Sequence, residues 1–404
     1  MNVLLLSASL PYPTTSGGAL RVYSLIRALN KLGHAVHLLC YSDEAIRWKD
    51  SPLADLCKTV VTLSPPRRSL TERLTTLLFT RQADVANRLF SDAMVNALGE
   101  MLGKTHFDLV QAEGIEMAWL LPHVRKLQAA AKLCFDTFNA EYELQRVIAT
   151  IDAREPRRWL TAGYSWIQSG RIARFEREMG ELADLMLAVS PEDSAALKAI
   201  LPGKSIPVIP SAIAVDEYGG SEAKSLGPHA LVFTGKMDYR PNVDAMVWFS
   251  ESILPRIRVR FPGVTLHIVG QQPHRRLSHL GSEPGITLTG YVPSVVPYLR
   301  GAAVYVAPLR MGSGTRLKLL EAMAAGCAIV ATPTAAAGLL PDATAAMRLA
   351  AHEERFADTV ISMLNDSSGR RMLGEQACAA VAAYYDWTAV ADRLRRVYEE
   401  AGIG

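Results

Sequence analysis

Cysteine is scarce in this chain: Cys40, Cys57, Cys134, Cys327 and Cys378 are the only five among 404 residues. None forms a C-x-x-C pair or stands at zinc-ligand spacing from a histidine, which excludes a disulfide scaffold and a structural zinc site. Buried, reduced thiols in a cytosolic protein are the expectation. Net charge is also small, +3 from 43 basic and 40 acidic side chains, so the strong basic field of a nucleic-acid binder is missing. No uninterrupted apolar run reaches the ~20 residues that a bilayer span needs. The opening MNVLLLSASLPYP lacks the basic segment of a signal peptide and reads as a buried strand. Short repeats and low-complexity stretches are absent. What is present is an ordinary globular composition, 49% hydrophobic and 21% charged, which rules out intrinsic disorder. The length is too great for one compact core and suits two domains.

The first stretch has a strand–helix–strand rhythm. Asn2–Ala8 is apolar enough for a parallel strand buried on both faces. Ser9–Gly18 is a Pro/Thr/Ser/Gly loop, and Ala19–Leu32 has helical spacing with Leu20, Tyr23, Leu25, Ile26 and Leu29 as its stripe. Gly33 closes that helix, His34 belongs to the turn, and Ala35–Cys40 is the next strand. Further strands are expected at Lys58–Leu63, Leu109–Ala112, Ala131–Phe135 and Leu185–Val189, with a long helix over about 157–182. Three prolines in Leu201–Ala214 mark a linker. A second alternating set follows, with strands at Leu231–Thr234, Thr265–Val269, Ile286–Thr289, Val304–Ala307 and Ala328–Ala331. Helices are expected at about 242–259, 293–300 and 315–325, and from 352 onward. This alternation predicts an α/β protein of two doubly wound, Rossmann-like halves.

Ligands of open parallel sheets bind beyond the carboxyl ends of the strands, so the loops there matter most. The loop after Val304–Ala307 runs Pro308–Gly326. Gly312 and Gly314 let backbone approach a ligand, and Thr315 is a plausible N-cap. Arg316 and Lys318 in the first helical turn oppose the helix dipole, so an anion held there explains them better than helix stability does. Glu321 is placed to accept hydrogen bonds from sugar hydroxyls. After Leu231–Thr234, Gly235 permits a tight turn, and Lys236 and Arg240 can neutralise phosphate charge. Gly17 and Gly18 form a Gly-Gly pair at a helix start. A dinucleotide site needs G-x-G-x-x-G directly after a strand, and neither SASLPYPTTSGG nor Gly312-Ser313-Gly314 supplies it. Glu113 follows one strand, and Asp136, Asn139 and Glu141 follow the next. His106, His123, His267 and His274 have no partner spacing for a metal or a triad, and no D-x-D motif lies near a strand end.

The block Glu321-Ala322-Met323-Ala324-Ala325-Gly326 behind a Gly-rich loop resembles the carboxyl-domain signature of the group 1, family 4 retaining glycosyltransferases of the GT-B fold. The resemblance implies two domains facing across a cleft and transfer of a hexose-like sugar from a nucleoside-diphosphate-sugar co-substrate to a hydroxyl. It implies retention of anomeric configuration, no separate cofactor and no metal, as in exopolysaccharide or cell-wall enzymes. Glu321 would hold the donor ribose, and the amides of Gly312, Ser313, Gly314 and Thr315 would meet the diphosphate with Arg316 or Lys318. Gly17 and Gly18 would face the donor. The family's Gly-Arg pair and later Lys become Gly235-Lys236 and Asn242, and the first glutamate of its E-x7-E pair becomes Ser313. Family relatives carry histidines where this chain has Glu113 and Phe138. Lys236, Arg316 and Glu113 are therefore the catalytic candidates, and Asn139 and Glu141 the acceptor-binding ones.

Domains are expected at 1–200 for the acceptor, 201–385 for the donor, and 386–404 as a helix returning to the first. Residues 65–90 and 154–177 are arginine-rich helices, the latter with Trp159, Tyr164 and Trp166 interleaved, a pattern compatible with an anionic lipid surface or with solvated helix faces. The expected partners are the nucleotide-sugar and a glycan or lipid-linked acceptor, with no nucleic acid. The expected location is the cytoplasm, with peripheral contact at the inner membrane face left open. A nucleotide-sugar epimerase and a catalytically inactive GT-B-like scaffold subunit remain alternatives, the second suggested by Ser313, Glu113, Phe138 and Asn242.

Overall fold

The structure is a computed structural model that describes residues 1–14, 16–42, 48–66, 82–153, 158–220, 222–311 and 317–403. It divides into two compact units, Met1–Ala212 with Val390–Gly404, and Ile213–Ala389.

The first unit is built on six parallel strands: β1 (Asn2–Ser7), β2 (Ala35–Tyr41), β3 (Thr59–Leu63), β4 (Leu109–Glu113), β5 (Lys132–Asp136) and β6 (Leu185–Leu187). Their order is β3-β2-β1-β4-β5-β6, so the chain reverses direction across the sheet between β1 and β4. β1 is buried along nearly its whole length because both faces are covered, which is why it reads as a run of leucines. Helix α1 (Gly17–Lys31) starts at Ser16, whose side chain accepts from the Ala19 amide at 3.2 Å. Its buried face comprises Ala19, Arg21, Val22, Ser24, Leu25, Ile26, Ala28 and Leu29. That face is rotated from the expected stripe: Leu20 and Tyr23 are only partly buried, and Arg21 points inward. Helices α2 (Glu141–Asp152) and α3 (Trp159–Leu182) follow β5.

The expected boundary at 200 moves to Ala212. Ile206, Ile209 and Ala212 are buried, Arg21 Nη1 donates to the Ile209 carbonyl at 2.8 Å, and Ser24 Oγ to that of Ala212 at 3.2 Å. Prolines keep this segment extended, but its apolar residues tie it to the first unit. The last helix, Trp387–Glu400, belongs to the same unit from Val390 onward, and its Tyr398 hydroxyl donates to Gln111 Oε1 at 2.6 Å.

The second unit repeats the plan with β7 (Ala230–Thr234), β8 (Thr265–Val269), β9 (Ile286–Leu288), β10 (Val304–Ala307), β11 (Ile329–Ala331) and β12 (Arg348–Leu349), ordered β12-β11-β10-β7-β8-β9. Here the reversal falls between β7 and β10. The helix expected over 242–259 is broken into α4 (Arg240–Trp248), a wide turn at Phe249–Ile253 and α5 (Leu254–Arg260). Pro255, which has no N–H to give to the preceding turn, accounts for the break. Helix α6 (Leu317–Ala324) follows β10.

Candidate functional site

In the second unit the reversal point gathers loops from β7, β8 and β10 at the carboxyl edge of the sheet. Gly235, just past β7, has φ +151°, and Gly270, just past β8, has φ +153°. A Cβ on Gly270 would stand 1.8 Å from the Gly235 carbonyl oxygen, so only glycine lets these two loops touch. The Gly235 amide donates to Val269 O at 3.0 Å and the Met237 amide to Gln271 O at 2.9 Å. Those two donors hold loop to loop.

Lys318 and Glu321 lie one turn apart on α6. The Lys318 ammonium donates to Asn242 Oδ1 at 2.6 Å and lies 4.3 Å from the Phe233 ring centroid. Asn242, nine-tenths buried, gives its own Nδ2 to the Lys236 carbonyl at 2.8 Å. A Cβ on Gly235 would stand 2.7 Å from Lys318 Nζ, so the cation lies directly under the β7 loop. Glu321 is partly buried and accepts from the Tyr218 hydroxyl at 3.2 Å. Burial raises its pKa, against the opposing effects of Tyr218 and Lys318, and burial with the Glu321 charge raises that of Tyr218. Lys236 is half-exposed and 3.4 Å from Asp238, while Arg240 opens α4. Arg310 forms a two-pronged pair with Asp244 at 2.7 and 3.0 Å and lies 5.0 Å from the Trp248 ring, fixing the start of the β10 loop on α4. Gly312, Ser313, Gly314, Thr315 and Arg316 lie outside the described residues.

The first unit corrects one expectation. Glu113 is the last residue of β4, not a loop residue, and has no accessible surface. Asp136 likewise ends β5, fully buried, and receives Arg21 Nε at 2.9 Å and Nη2 at 2.5 Å. Gln111 Nε2 donates to Glu113 Oε1 at 2.8 Å. Burial first, and then the Asp136 charge, push the Glu113 pKa well above the usual carboxylate range. Burial opposes the charge on Arg21, but Asp136 and Glu113 outweigh it and raise its pKa. Glu113 is thus enclosed at the end of β4, with Gln111 of the same strand as the hydrogen-bond donor to its Oε1 and with no surface exposed.

Gly17 is the first residue of α1, and a Cβ on Gly18 would stand 3.2 Å from the Phe138 ring, so Phe138 packs against bare backbone there. Gly114, φ +81°, faces the same ring at 3.4 Å. Asn139 Nδ2 donates to Glu141 Oε1 at 3.1 Å, and burial, against that bond, lifts Glu141 to about 7. Beneath lies Glu176, which accepts from the Glu141 and Tyr142 amides at 2.8 and 3.2 Å, while Asp193 Oδ1 accepts from the Ala140 amide at 2.8 Å. Burial lifts Glu176 to about 8, against its two amide bonds.

That last shift gives a stability prediction. A folded pKa above the unfolded value makes the contribution complete below the unfolded pKa and lost as pH rises through the folded one. Buried His37 and partly buried His34 and His267, whose pKa values are lowered, act in the opposite sense but only below about 6.5. The urea midpoint should therefore fall between about pH 7 and 8.5, and Glu176→Gln should flatten that fall. An unchanged slope in the variant would refute the assignment.

Tyr218, Phe233 and Arg21 are site or support residues that sequence reasoning missed. Arg21 carried a signal, a charge inside a helix whose neighbours Val22, Leu25 and Ile26 are apolar. Tyr218, in a short turn of the segment leading to β7, carried none. Among the described residues no group of three or more His, Cys, Asp or Glu side chains is arranged to hold a metal ion. Among them, too, no helix is long and apolar enough to cross a membrane.

Two Rossmann-like domains in one chain, with a carboxylate and an ammonium at the second reversal point, define the GT-B class of glycosyltransferase folds. Solved structures agree at the level of fold. A sucrose-phosphate synthase from Thermosynechococcus elongatus superposes with a TM-score of 0.71, 17% identity and 99% of each chain covered. Anabaena HepE in complex with UDP superposes with a TM-score of 0.68, 13% identity, 99% of this chain and 100% of that one. The model of Glycosyltransferase Family 4 matches residues 15–217, half of the chain, and that of Glycosyl transferases group 1 matches residues 228–366. The chain belongs to the family 4, group 1 glycosyltransferases. It is similar to the phosphatidyl-myo-inositol mannosyltransferase of Mycobacterium tuberculosis, 31% identical over 218 residues, 48% of this chain and 54% of that protein. The mannosyltransferase of the same name from Mycolicibacterium smegmatis is 33% identical over 152 residues, 36% of this chain and 39% of that one. The match thus spans about half the length of the first of these relatives.

Proposed function

We propose that this protein transfers a hexose-like sugar from a nucleoside-diphosphate-sugar to a hydroxyl of a glycan or lipid-linked acceptor, with retention and without a metal ion. The observation that carries this reading is the pairing of Lys318 and Glu321 on one helix, beneath the Gly235 loop. Glu321 accepts the donor's ribose hydroxyls. Lys318, Lys236 and Arg316 stabilise negative charge on the departing diphosphate, the electrostatic work a metal performs in other enzymes. Arg240, Gly312, Ser313, Gly314 and Thr315 complete the donor set, with Gly17 and Gly18 as further donor contacts. Asn139 and Glu141 bind the acceptor. The names of the relatives support the two halves of this reading: one group acts on phosphatidyl-myo-inositol, and HepE was solved with UDP.

Calorimetric titration with UDP-, GDP- and ADP-glucose, followed by NMR assignment of the product's anomeric configuration, tests the proposal. One nucleotide-sugar should bind and yield a product of the donor's own configuration. Product of opposite configuration would end the retaining assignment. An altered sugar on the nucleotide, without transfer, would select the epimerase reading. Tight binding without turnover on any acceptor would select the scaffold. With Glu141 lifted to about 7, kcat/KM for the acceptor should rise with pH through that value, and Glu141→Gln should remove the rise. A profile identical in the variant would remove Glu141 from the acceptor site.

A further inference from the structure

Helix α3 is inside out over its first half. Its inward face carries Ala162, Ser165, Gln168, Ser169 and Ile172. Two of its polar atoms are bonded: Gln168 Oε1 accepts from the Asp84 amide at 3.0 Å, and Ser169 Oγ donates to the Tyr142 carbonyl at 2.9 Å, while Gln168 Nε2 is buried without a partner among the described residues. The outward face carries Trp159, Leu160, Trp166 and Ile167, which are 65%, 94%, 61% and 52% exposed. Gly163 and Gly170 lie between and beyond them on the same side, and Val147 of α2 adds a further exposed apolar group. At 100° per residue these four side chains fall within about one-third of the helix circumference, so they form one stripe. A helix that turns hydroxyls and amides inward and tryptophans outward is shaped by something beyond its own core.

Charge identifies that partner. From Trp159 to Phe175 the helix has no acidic residue, while Arg171 and Arg174 follow the apolar stripe and Arg158 precedes it. The nearby acids are engaged, Asp152 by Arg158 at 2.9 Å and Glu143 by Arg146 at 2.9 Å. Tryptophan at the level of lipid headgroups, aliphatic side chains reaching below it and arginines on the flanks are the requirements of an interfacial helix. We propose that the outward face of α3 is a docking surface for an anionic lipid bilayer, with Leu160 and Ile167 entering the acyl boundary and Trp159 and Trp166 seated at the headgroups. This deepens the functional reading only in placing the protein where a lipid-linked acceptor resides; the docking itself does not depend on catalysis.

The test is sedimentation of the full chain with phosphatidylcholine vesicles, with and without about 30 mol% phosphatidylglycerol. The unaltered protein should pellet with the anionic vesicles, less so at high salt. Leu160→Ser/Ile167→Ser should weaken that partitioning roughly tenfold or more. Because both residues face outward, its melting temperature and nucleotide-sugar affinity should be unchanged. As a second readout, lipids brominated in the acyl chain should quench tryptophan fluorescence, and Trp159→Phe/Trp166→Phe should remove most of that quenching. Glu321→Ala should bind vesicles normally, which separates failure of docking from failure of the donor site. No binding by the unaltered protein, or equal binding by the double variant, would overturn the proposal. So would light scattering that shows a dimer for the unaltered protein and a monomer for Leu160→Ser/Ile167→Ser, since the stripe would then cover a second copy of this chain.

Discussion

Glu321→Ala should lower nucleotide-sugar affinity by a hundredfold or more while leaving the protein folded. The carboxylate is placed at a cost, since burial raises its pKa and only Tyr218 and Lys318 offset that. A local stability role does not explain a carboxylate kept there against desolvation; a ligand with hydroxyls does. Hydrogen bonds to a charged acceptor contribute about 1.5–3 kcal/mol each, so losing two removes at least about 3 kcal/mol, a factor of about a hundred. Glu321→Gln keeps one good acceptor and should lose roughly tenfold. Tyr218→Phe removes only the hydroxyl that holds Oε1, 3.2 Å away, and should lose a few-fold. Calorimetry on the three variants reads the series directly. Equal affinity in Glu321→Ala and the unaltered protein would show that the ribose is held elsewhere.

The strand–helix alternation was legible because parallel strands buried on both faces appear as unbroken apolar runs, as in Val3–Leu6, Leu38–Leu39 and Val304–Ala307. Such runs do not say where a strand ends when its last residue is charged. Glu113 and Asp136 look like loop residues for that reason, yet they close β4 and β5: Arg21 pairs with Asp136 inside the protein, and Gln111 donates to one oxygen of Glu113. β12 escaped notice because Arg348 and Leu349 are only two residues long and exposed, without an apolar signature. The break in the helix after β7 has a visible cause, Pro255, which the continuous apolar spacing on either side of it masks. In the candidate site, motif spacing singled out Gly235, Lys236, Lys318 and Glu321. It did not reveal the Tyr218–Glu321 contact, which spans 103 residues, or the Asn242–Lys318 contact, which spans 76. The second depends on the strand order β10-β7, which sets the elements that follow these two strands side by side, and no local pattern encodes either contact.

The Asn242–Lys318 contact leads to the second large effect. The resembling family places a lysine at the position of Asn242, so this chain has an amide where a cation is expected. Lys318 reaches Asn242 Oδ1 at 2.6 Å from α6, so a cation from another element stands beside that amide. The Phe233 ring, 4.3 Å away, and the Asn242 amide hold the ammonium in one place, which costs little reorganisation when leaving-group charge develops. Lys318→Met, which keeps the apolar stem and discards the charge, should lower kcat/KM by about 10²–10³, the size expected when one fixed electrostatic stabiliser is removed. Asn242→Ala should cost about tenfold, because the cation stays but loses its anchor. The informative variant is the exchange Asn242→Lys/Lys318→Met. If position matters only as a source of charge beneath the Gly235 loop, the exchange should recover activity to within about tenfold of the unaltered enzyme, far above Lys318→Met alone. Failure of the exchange to recover anything, in a protein that still binds donor, would mean that Lys318 acts through α6 itself and that Asn242 is not its counterpart.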